Sequence, residues 1–311
     1  MSRPVVGRLA PTPSGQLHLG NVIAFATAWL SARGQDGTVV LRVEDVDKAR
    51  ARRSIEDDQK ADLEWLGLHW DRETTRQSER DYEPWLQRLA GHTYLCTCTR
   101  AMVRAAGGVY PGTCRGGTSA PNVEVGWQSE FKPQQTALTR FRIPEGRVAF
   151  VDRRWGAQNV NPASIGDPVL QRRDGVFAYP LAVVSDDIAD GVTEVVRGSD
   201  LLPVTAVQIR LWQAFNAAPP TWLHSPLVLG SGGKKLSKSH GSVHLGALRD
   251  AGWTAPDVWR AILPWLGLSG DNPKDAALSF VPTGGPLGPI VLDTDRLPSP
   301  AEGLSWRLEG E

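Results

Sequence analysis

Two short segments of the chain carry side chains whose type and spacing suit chemistry on a nucleotide. The first is Pro11-Thr12-Pro13-Ser14-Gly15-Gln16-Leu17-His18-Leu19-Gly20-Asn21. It stands between an apolar run, Pro4 to Leu9, and the helical spacing of Val22, Phe25, Ala26, Trp29 and Leu30. A loop that closes onto a helix start offers unpaired N–H groups and a partial positive charge, and Gly20 lets a base or phosphate approach the backbone. The plainer alternative is a proline-rich connection in which His18 only caps the helix. The second segment, Lys235-Leu236-Ser237-Lys238-Ser239, lies more than two hundred residues later and is flanked by glycines. Two ammonium groups three residues apart can close over a triphosphate and neutralise the charge that develops as pyrophosphate leaves. Alone, such a basic run reads as solvated surface.

A third constellation is Cys96-Thr97-Cys98 followed by Tyr110-Pro111-Gly112-Thr113-Cys114. All 3 cysteines of the chain fall in this stretch. Three thiolates suit a tetrahedral cation, and zinc is the fitting one. The cysteines leave a fourth position open, which His92 or Tyr110 could fill. The alternative is three reduced thiols with no metal.

The two nucleotide-type segments together resemble the HIGH and KMSKS signatures of the class I aminoacyl-tRNA synthetases. They stand here as His18-Leu19-Gly20-Asn21 and Lys235-Leu236-Ser237-Lys238-Ser239, with Asn21 in place of the last histidine and Leu236 in place of methionine. Three further segments are similar to parts of glutamyl-tRNA synthetases: Arg8 to Gly15, Leu41-Arg42-Val43-Glu44-Asp45-Val46-Asp47, and Val195-Val196-Arg197-Gly198-Ser199-Asp200-Leu201-Leu202. The resemblance runs from Val5 to about Leu266. It implies a Rossmann-like catalytic domain that takes ATP with Mg²⁺. Lys238 and His18 would be its catalytic groups, and His18, Gly20, Asn21, Lys235, Ser237 and Lys238 its ATP contacts. The implied glutamate contacts are Arg8, the backbone of Leu9, Ala10, Pro11 and Thr12, then Glu44, Tyr179 and Arg197.

The chemistry of those residues fits the same substrate. Selecting glutamate requires a cation for the side-chain carboxylate and an anion for the α-ammonium, with neither left buried and unpaired. Arg8 and Arg197 at two strand ends are suitable guanidinium groups, and Glu44 after another strand is the suitable acid. Carboxyl ends of parallel strands share one crevice. For Arg42, Asp45 and Asp47, ion pairing at the strand end is an equal reading, and Asp186 and Asp187 read as turn caps in preference to metal ligands.

Only 72 residues follow Ser239 in a chain of 311. The helical portion with which ordinary glutamyl-tRNA synthetases read an anticodon has no room there. The chain therefore resembles the truncated branch of the family, whose members activate L-glutamate without tRNA and attach it to queuosine in the anticodon loop of tRNA(Asp). That resemblance also favours Tyr110 as the fourth ligand of a structural Zn²⁺, since the Tyr-x-x-x-Cys spacing matches. Three other readings remain open: a catalytic fragment charging tRNA(Glu), a nucleotidyltransferase that adenylates a small metabolite, and a non-catalytic RNA-binding relative.

The elements that must position these groups read as alternating strands and helices, Pro4 to Leu9, Leu19 to Arg33, Thr38 to Val43 and then Ser54 to Leu66 with Ser54 as N-cap. Such alternation predicts an α/β fold with a doubly wound parallel sheet. The expected units are a first catalytic half over 1–90, an inserted zinc-binding subdomain over 91–152, a second catalytic half over 153–245, and a short C-terminal region over 246–311. The last of these is expected to hold a helix over Trp259 to Leu266, followed by a stretch rich in Gly and Pro, Ser269 to Glu311, that predicts only weak structure, and no anticodon-binding domain is expected. Lys plus Arg and Asp plus Glu each number 34, so a polyanion must be held by local patches instead of net charge. No apolar stretch is long enough to span a bilayer, no secretory leader is visible, and a reducing cytoplasm is the expected compartment.

Overall fold

β1 (Val6–Leu9) and β2 (Thr38–Leu41) pair in parallel, Val6 opposite Thr38 and Leu9 opposite Leu41, and β3 (Arg72–Glu73) adds to the outer side of β2. This arrangement comes from a computed structural model that describes residues 3–116, 136–234, 236, 243–292 and 299–310. On the other side of β1 lies β9 (Glu194–Gly198), joined to it where Thr193 N–H donates to the Val6 carbonyl at 3.0 Å. β10 (Thr221–Ser225) continues in parallel register from Glu194↔Thr221 to Gly198↔Ser225. β6 (Val148–Asp152) follows, and β7 (Gly156–Val160) closes the edge as an antiparallel hairpin. The resulting order, β3-β2-β1-β9-β10-β6-β7, reverses direction of growth between β1 and β9. In a doubly wound sheet that switch point opens the ligand crevice at the carboxyl ends of the strands.

Helix α1 (Leu19–Arg33) fills the space against β1 and β9, and its Val22, Ile23, Ala26, Trp29 and Leu30 are all buried. Being buried on most of its circumference, α1 has little of the amphipathic contrast that marks a surface helix. It ends at Gly34 because the backbone of α9 (Pro273–Ser279) passes there. A Cβ at position 34 would sit 2.5 Å from the Ala277 carbonyl oxygen. α2 (Arg53–Trp65), α5 (Tyr179–Ala189) and α6 (Thr205–Ala214) complete the layers. Ser54 is not the cap of α2: the helix begins one residue earlier, after Arg52, without a side-chain cap.

A second, antiparallel sheet combines β4 (Thr93–Cys96), β5 (Leu138–Phe141) and β8 (Val169–Gln171), with α4 (Arg100–Ala105) beside it. Its membership differs from the expected 91–152 insertion. β6 leaves the insertion for the main sheet, where Asp152 stands opposite Trp222, while β8 returns from beyond residue 152 to pair with β5. Strand partners far apart in sequence decide this, and local composition carries no record of them.

The C-terminal region holds the expected helix near Trp259, and beyond Ser269 it is more ordered than its composition predicts. α7 (Leu245–Asp250) and α8 (Ala255–Ile262) precede α9, and α8 starts with a Thr254/Asp257 capping box. β12 (Ile290–Leu292) pairs with β11 (Val228–Leu229) and with β13 (Trp306–Leu308). Trp259 and Trp265 are fully buried against the α1 core, and Trp259 Nε1–H donates to the Leu66 carbonyl at 2.8 Å. Large aromatic side chains supply here the apolar area that glycines and prolines lack.

Candidate active site

Arg8 is the third residue of β1 and only 5 % exposed. Its Nη1 donates to the Val196 carbonyl of β9 at 2.7 Å, and its Nε faces Asp187 Oδ1 at 3.4 Å. The guanidinium therefore lies across the switch point. Arg42, directly after β2, is wholly buried and ringed by acids. Asp187 stands at 2.7 Å, Glu44 at 3.1 Å, Asp190 at 3.2 Å and Asp186 at 4.0 Å. Asp186 and Asp187 are thus buried residues of α5 that neutralise cations, and neither caps a turn. Asp45 and Asp47 pair with Arg76 and Arg172, at 3.5 and 3.0 Å.

Glu44 belongs to the same crevice. Pairing of the two segments continues past the strands, since Arg42 N–H donates to Leu9 O and Glu44 N–H to Pro11 O, each at 2.9 Å. Burial pushes the Glu44 carboxyl up from its ordinary value, against the pull of Arg42 and Arg8. Tyr179, first residue of α5, is 37 % exposed and interacts electrostatically with Glu44, Arg197 and Arg8. The folded chain thus brings Arg8, Glu44, Tyr179 and Arg197 together from four separate elements.

Arg197 differs from the other two arginines in its partners. It is 6 % exposed, yet among the described residues no carboxylate forms an ion pair with it. Its Nη1 donates to Gln208 Oε1 at 2.6 Å, Nη2 to Thr205 Oγ1 at 2.8 Å, and Nε to His224 Nε2 at 3.2 Å. Burial draws its pKa below the ordinary value. A buried cation without an anion is costly, and an arriving carboxylate relieves that cost.

Beside these groups runs the loop of Ala10, Pro11 and Thr12. Gln59 from α2 holds it, its amide donating to Thr12 O at 3.0 Å and Gly15 O at 2.7 Å. Ala10, Pro11, Thr12, Leu17, Asn21, Phe25 and Gln59 line a cavity of about 120 Å³. His18 caps α1, its Nδ1 accepting the Asn21 N–H at 3.3 Å while Asn21 Oδ1 accepts the His18 N–H at 3.3 Å. The neutral ring then carries its proton on Nε2. What lies over Gly20 is this imidazole: a Cβ there would meet His18 Cε1 at 3.0 Å.

The described chain that follows the second signature segment, from Val243, meets the same helix start. Leu19 N–H donates to Val243 O at 3.2 Å, Leu245 N–H donates to Leu17 O at 3.0 Å, and His18 and His244 form an isolated antiparallel bridge. Leu236, within the second signature segment, is buried. Lys235, Ser237 and Lys238 lie outside the described residues.

In the second sheet the sulfurs of Cys96, Cys98 and Cys114 gather within 4.8 Å of one another, with Cys98 and Cys114 3.7 Å apart. Zn–S bonds at tetrahedral angles set sulfur–sulfur edges of about 3.8 Å, so the donors fit such an ion. The Tyr110 hydroxyl accepts the Cys114 N–H at 2.8 Å, while its ring lies 3.8 Å from the Arg140 guanidinium. His92 is not part of this group. A hydrogen bond from Thr97 N–H draws the Cys114 thiol down to about 7, whereas burial pushes Cys98 up to about 11. The cluster could hold a metal ion.

Comparison with known proteins places this geometry in context. Residues 4–275 match the family described as tRNA synthetases class I (E and Q), catalytic domain. A glutamyl-Q tRNA(Asp) synthetase of Nitratidesulfovibrio vulgaris is 42% identical, over 96% of this chain and 99% of its own. One from Symbiobacterium thermophilum is also 42% identical, covering 86% of this chain and 88% of the relative. Among solved structures, the glutamate-tRNA synthetase of Elizabethkingia anophelis superposes with a TM-score of 0.75 at 26% identity, over 91% of this chain and 67% of that one.

Proposed function

Because the chain belongs to the class I tRNA synthetases for glutamate and glutamine, we propose that it activates L-glutamate with ATP, without tRNA, and transfers it to queuosine in the anticodon loop of tRNA(Asp). The observation that carries the glutamate reading is Arg197, a buried guanidinium with no carboxylate in ion-pair contact among the described residues, which shares Arg8 and Tyr179 as electrostatic neighbours with the Glu44 side of the crevice. A dicarboxylic amino acid supplies the missing anion to Arg197 and Arg8 and offers its ammonium to Glu44. The queuosine reading rests on the near end-to-end match to relatives named for that reaction.

In the first step an oxygen of the glutamate α-carboxylate attacks the α-phosphorus of ATP, an O–P bond forms, and pyrophosphate departs. No general base is needed because the nucleophile is already an anion, so catalysis rests on placement and charge neutralisation. His18 Nε2–H and Lys238 serve the phosphates, with Gly20, Asn21, Lys235 and Ser237 in contact. Mg²⁺ arrives with ATP and spreads the phosphate charge. In the second step a hydroxyl of the queuosine ring attacks the carbonyl carbon, the ester forms, AMP leaves with the bond electrons, and the hydroxyl proton passes to solvent. Leu9 to Thr12 and Tyr179 wall the amino acid. Cys96, Cys98, Cys114 and Tyr110 would hold a structural Zn²⁺, which ties the second sheet together.

Among the described residues no helix is long and apolar enough to cross a membrane, and the reaction belongs with cytoplasmic tRNA. The test is acceptance of labelled glutamate by queuosine-containing tRNA(Asp) against tRNA(Glu). Charging of the first, lost after periodate cleaves the queuosine diol, is the expected result. Charging of tRNA(Glu) alone overturns the reading.

A further inference from the structure

His224 is the penultimate residue of β10 with no exposure at all, and Asp152 at the end of β6 is 1 % exposed. Asp152 Oδ2 is 2.6 Å from His224 Nδ1, and the other oxygen of that carboxylate accepts the N–H groups of Arg154 and Trp155 at 3.0 and 2.9 Å. A carboxylate held by this many donors is itself only an acceptor, so Nδ1 must carry a proton. At the opposite corner of the ring, Nε2 faces Arg197 Nε at 3.2 Å. Arginine is only a donor, so Nε2 must present its lone pair. Thr205 Oγ1, 3.3 Å from Nε2, has its single proton placed toward the Leu201 carbonyl at 3.1 Å and accepts from Arg197 Nη2. Both hydrogen bonds of the imidazole are satisfied together by one species, the neutral Nδ1–H tautomer.

We infer that Asp152 and His224 form a relay that positions Arg197, fixing the plane of its guanidinium for the incoming carboxylate of the amino acid. The inference rests on the reading of Arg197 as a glutamate contact. The relay solves a specific problem. Placing a carboxylate directly on Arg197 would fill the site with the wrong anion, while leaving Nε without an acceptor would strand a buried N–H. A neutral imidazole satisfies Nε without occupying the anion's place, and the Asp152 charge two links away makes the imidazole a stronger acceptor. Gln208 and Thr205 complete the clamp from α6. Burial keeps His224 below its ordinary pKa, consistent with the neutral ring. His224 is a positioning residue, one shell away from the substrate.

Two isosteric substitutions separate this role from simple support of the fold. His224→Gln places an amide oxygen near the Nε2 position and retains an acceptor for Arg197 while losing Asp152. His224→Asn places its NH₂ near the Nδ1 position, retaining Asp152 and losing Arg197. Glutamate-dependent pyrophosphate exchange by the full chain reads the outcome. The expected result is a KM for glutamate raised about tenfold or more in His224→Asn, with kcat and the KM for ATP little changed, and substantial recovery in His224→Gln. The reverse pattern, Gln damaged and Asn spared, overturns the inference. Arg197→Lys serves as control: if it leaves the glutamate KM unchanged, the glutamate-site reading itself fails. Should neither His224 variant fold, long-range ¹H–¹⁵N correlation on histidine-labelled wild-type protein decides. An Nδ1–H, Nε2-unprotonated ring supports the relay, and an Nε2–H or imidazolium ring overturns it.

Discussion

Arg42 Nη1 lies 2.7 Å from Asp187 Oδ1, and neither side chain has meaningful contact with solvent. The pair joins the end of β2 to the interior of α5. Because Arg8 Nε approaches the same Asp187 oxygen at 3.4 Å, one acid holds two cations that arrive from adjacent strands. Asp186 on the same helix and Asp190 at its C-cap complete the neutralisation of Arg42. The crevice is thereby left with Arg8 oriented, Glu44 held on one side by Arg42, and Arg197 with no acid in ion-pair contact among the described residues.

Removing one member of such a buried pair leaves the other uncompensated. Asp187→Asn is expected to lower stability by about 3–5 kcal/mol, read from urea unfolding, and to raise the KM for glutamate as Arg8 loses its anchor. A stability loss below about 1 kcal/mol would show that the pair behaves as an exposed one.

Asp62, buried on α2, faces Arg249 of α7 at 2.7 Å. Burial, with a contribution from Asp58 and against the pull of Arg249, raises its carboxyl to about 6. With the folded value above the unfolded one, the native state binds the extra proton. The stability this contributes is complete below about pH 4 and disappears as pH rises through about 6. Asp62→Asn, which cannot ionise, should therefore gain stability relative to the wild type between pH 4 and pH 7. An unchanged difference across that range in urea titrations would refute the shift.

Gly20 packs under the His18 ring, where a Cβ would come within 3.0 Å of Cε1. Gly20→Ala is expected to swing the imidazole off its cap and depress adenylate formation through kcat and the KM for ATP. The glutamate KM, set elsewhere in the crevice, should hardly move. Pyrophosphate exchange at varied ATP and glutamate distinguishes the two.

For Lys238, the proposed role is on charge that appears only as pyrophosphate leaves. Lys238→Ala should reduce kcat for exchange on the order of 10²–10³-fold while glutamate binding, followed by isothermal titration, changes little. Exchange surviving nearly intact would remove Lys238 from the mechanism.

At the cysteine cluster, atomic absorption of the purified chain should find one zinc for each Cys96, Cys98 and Cys114 set. Cys98→Ser should lose the metal together with thermal stability. Tyr110→Phe should weaken metal retention against a chelator, by about 10–100-fold, whereas Tyr110→Cys should keep it. Retention unaffected in Tyr110→Phe would exclude the phenol as fourth ligand.

The strand–helix alternation, the limits of α1 and the two signature segments were legible because each depends on neighbours within a few residues: apolar spacing, a glycine stop, a basic run. Arg8, Glu44 and Arg197 were legible as a charge set, since a dicarboxylic amino acid needs two cations and an acid at strand ends. The roles of Asp186 and Asp187 were not. A pair of aspartates followed soon by glycine reads locally as a turn, and only the approach of Arg42 and Arg8 turns them inward. Likewise β6 sits in a stretch that looks like the insertion until β10 arrives beside it.

The sequence by itself determined which chemical groups are available and which local backbone states they adopt, because propensity, capping and charge act over one or two helical turns. Only the tertiary structure decided which of those groups are partners. Asp152 and His224 are 72 residues apart, and the arginine they serve lies between them in the chain. Their hydrogen bonds exist because parallel pairing of β6, β10 and β9 sets three strand ends side by side, a consequence of long-range register to which no local pattern of residues is sensitive.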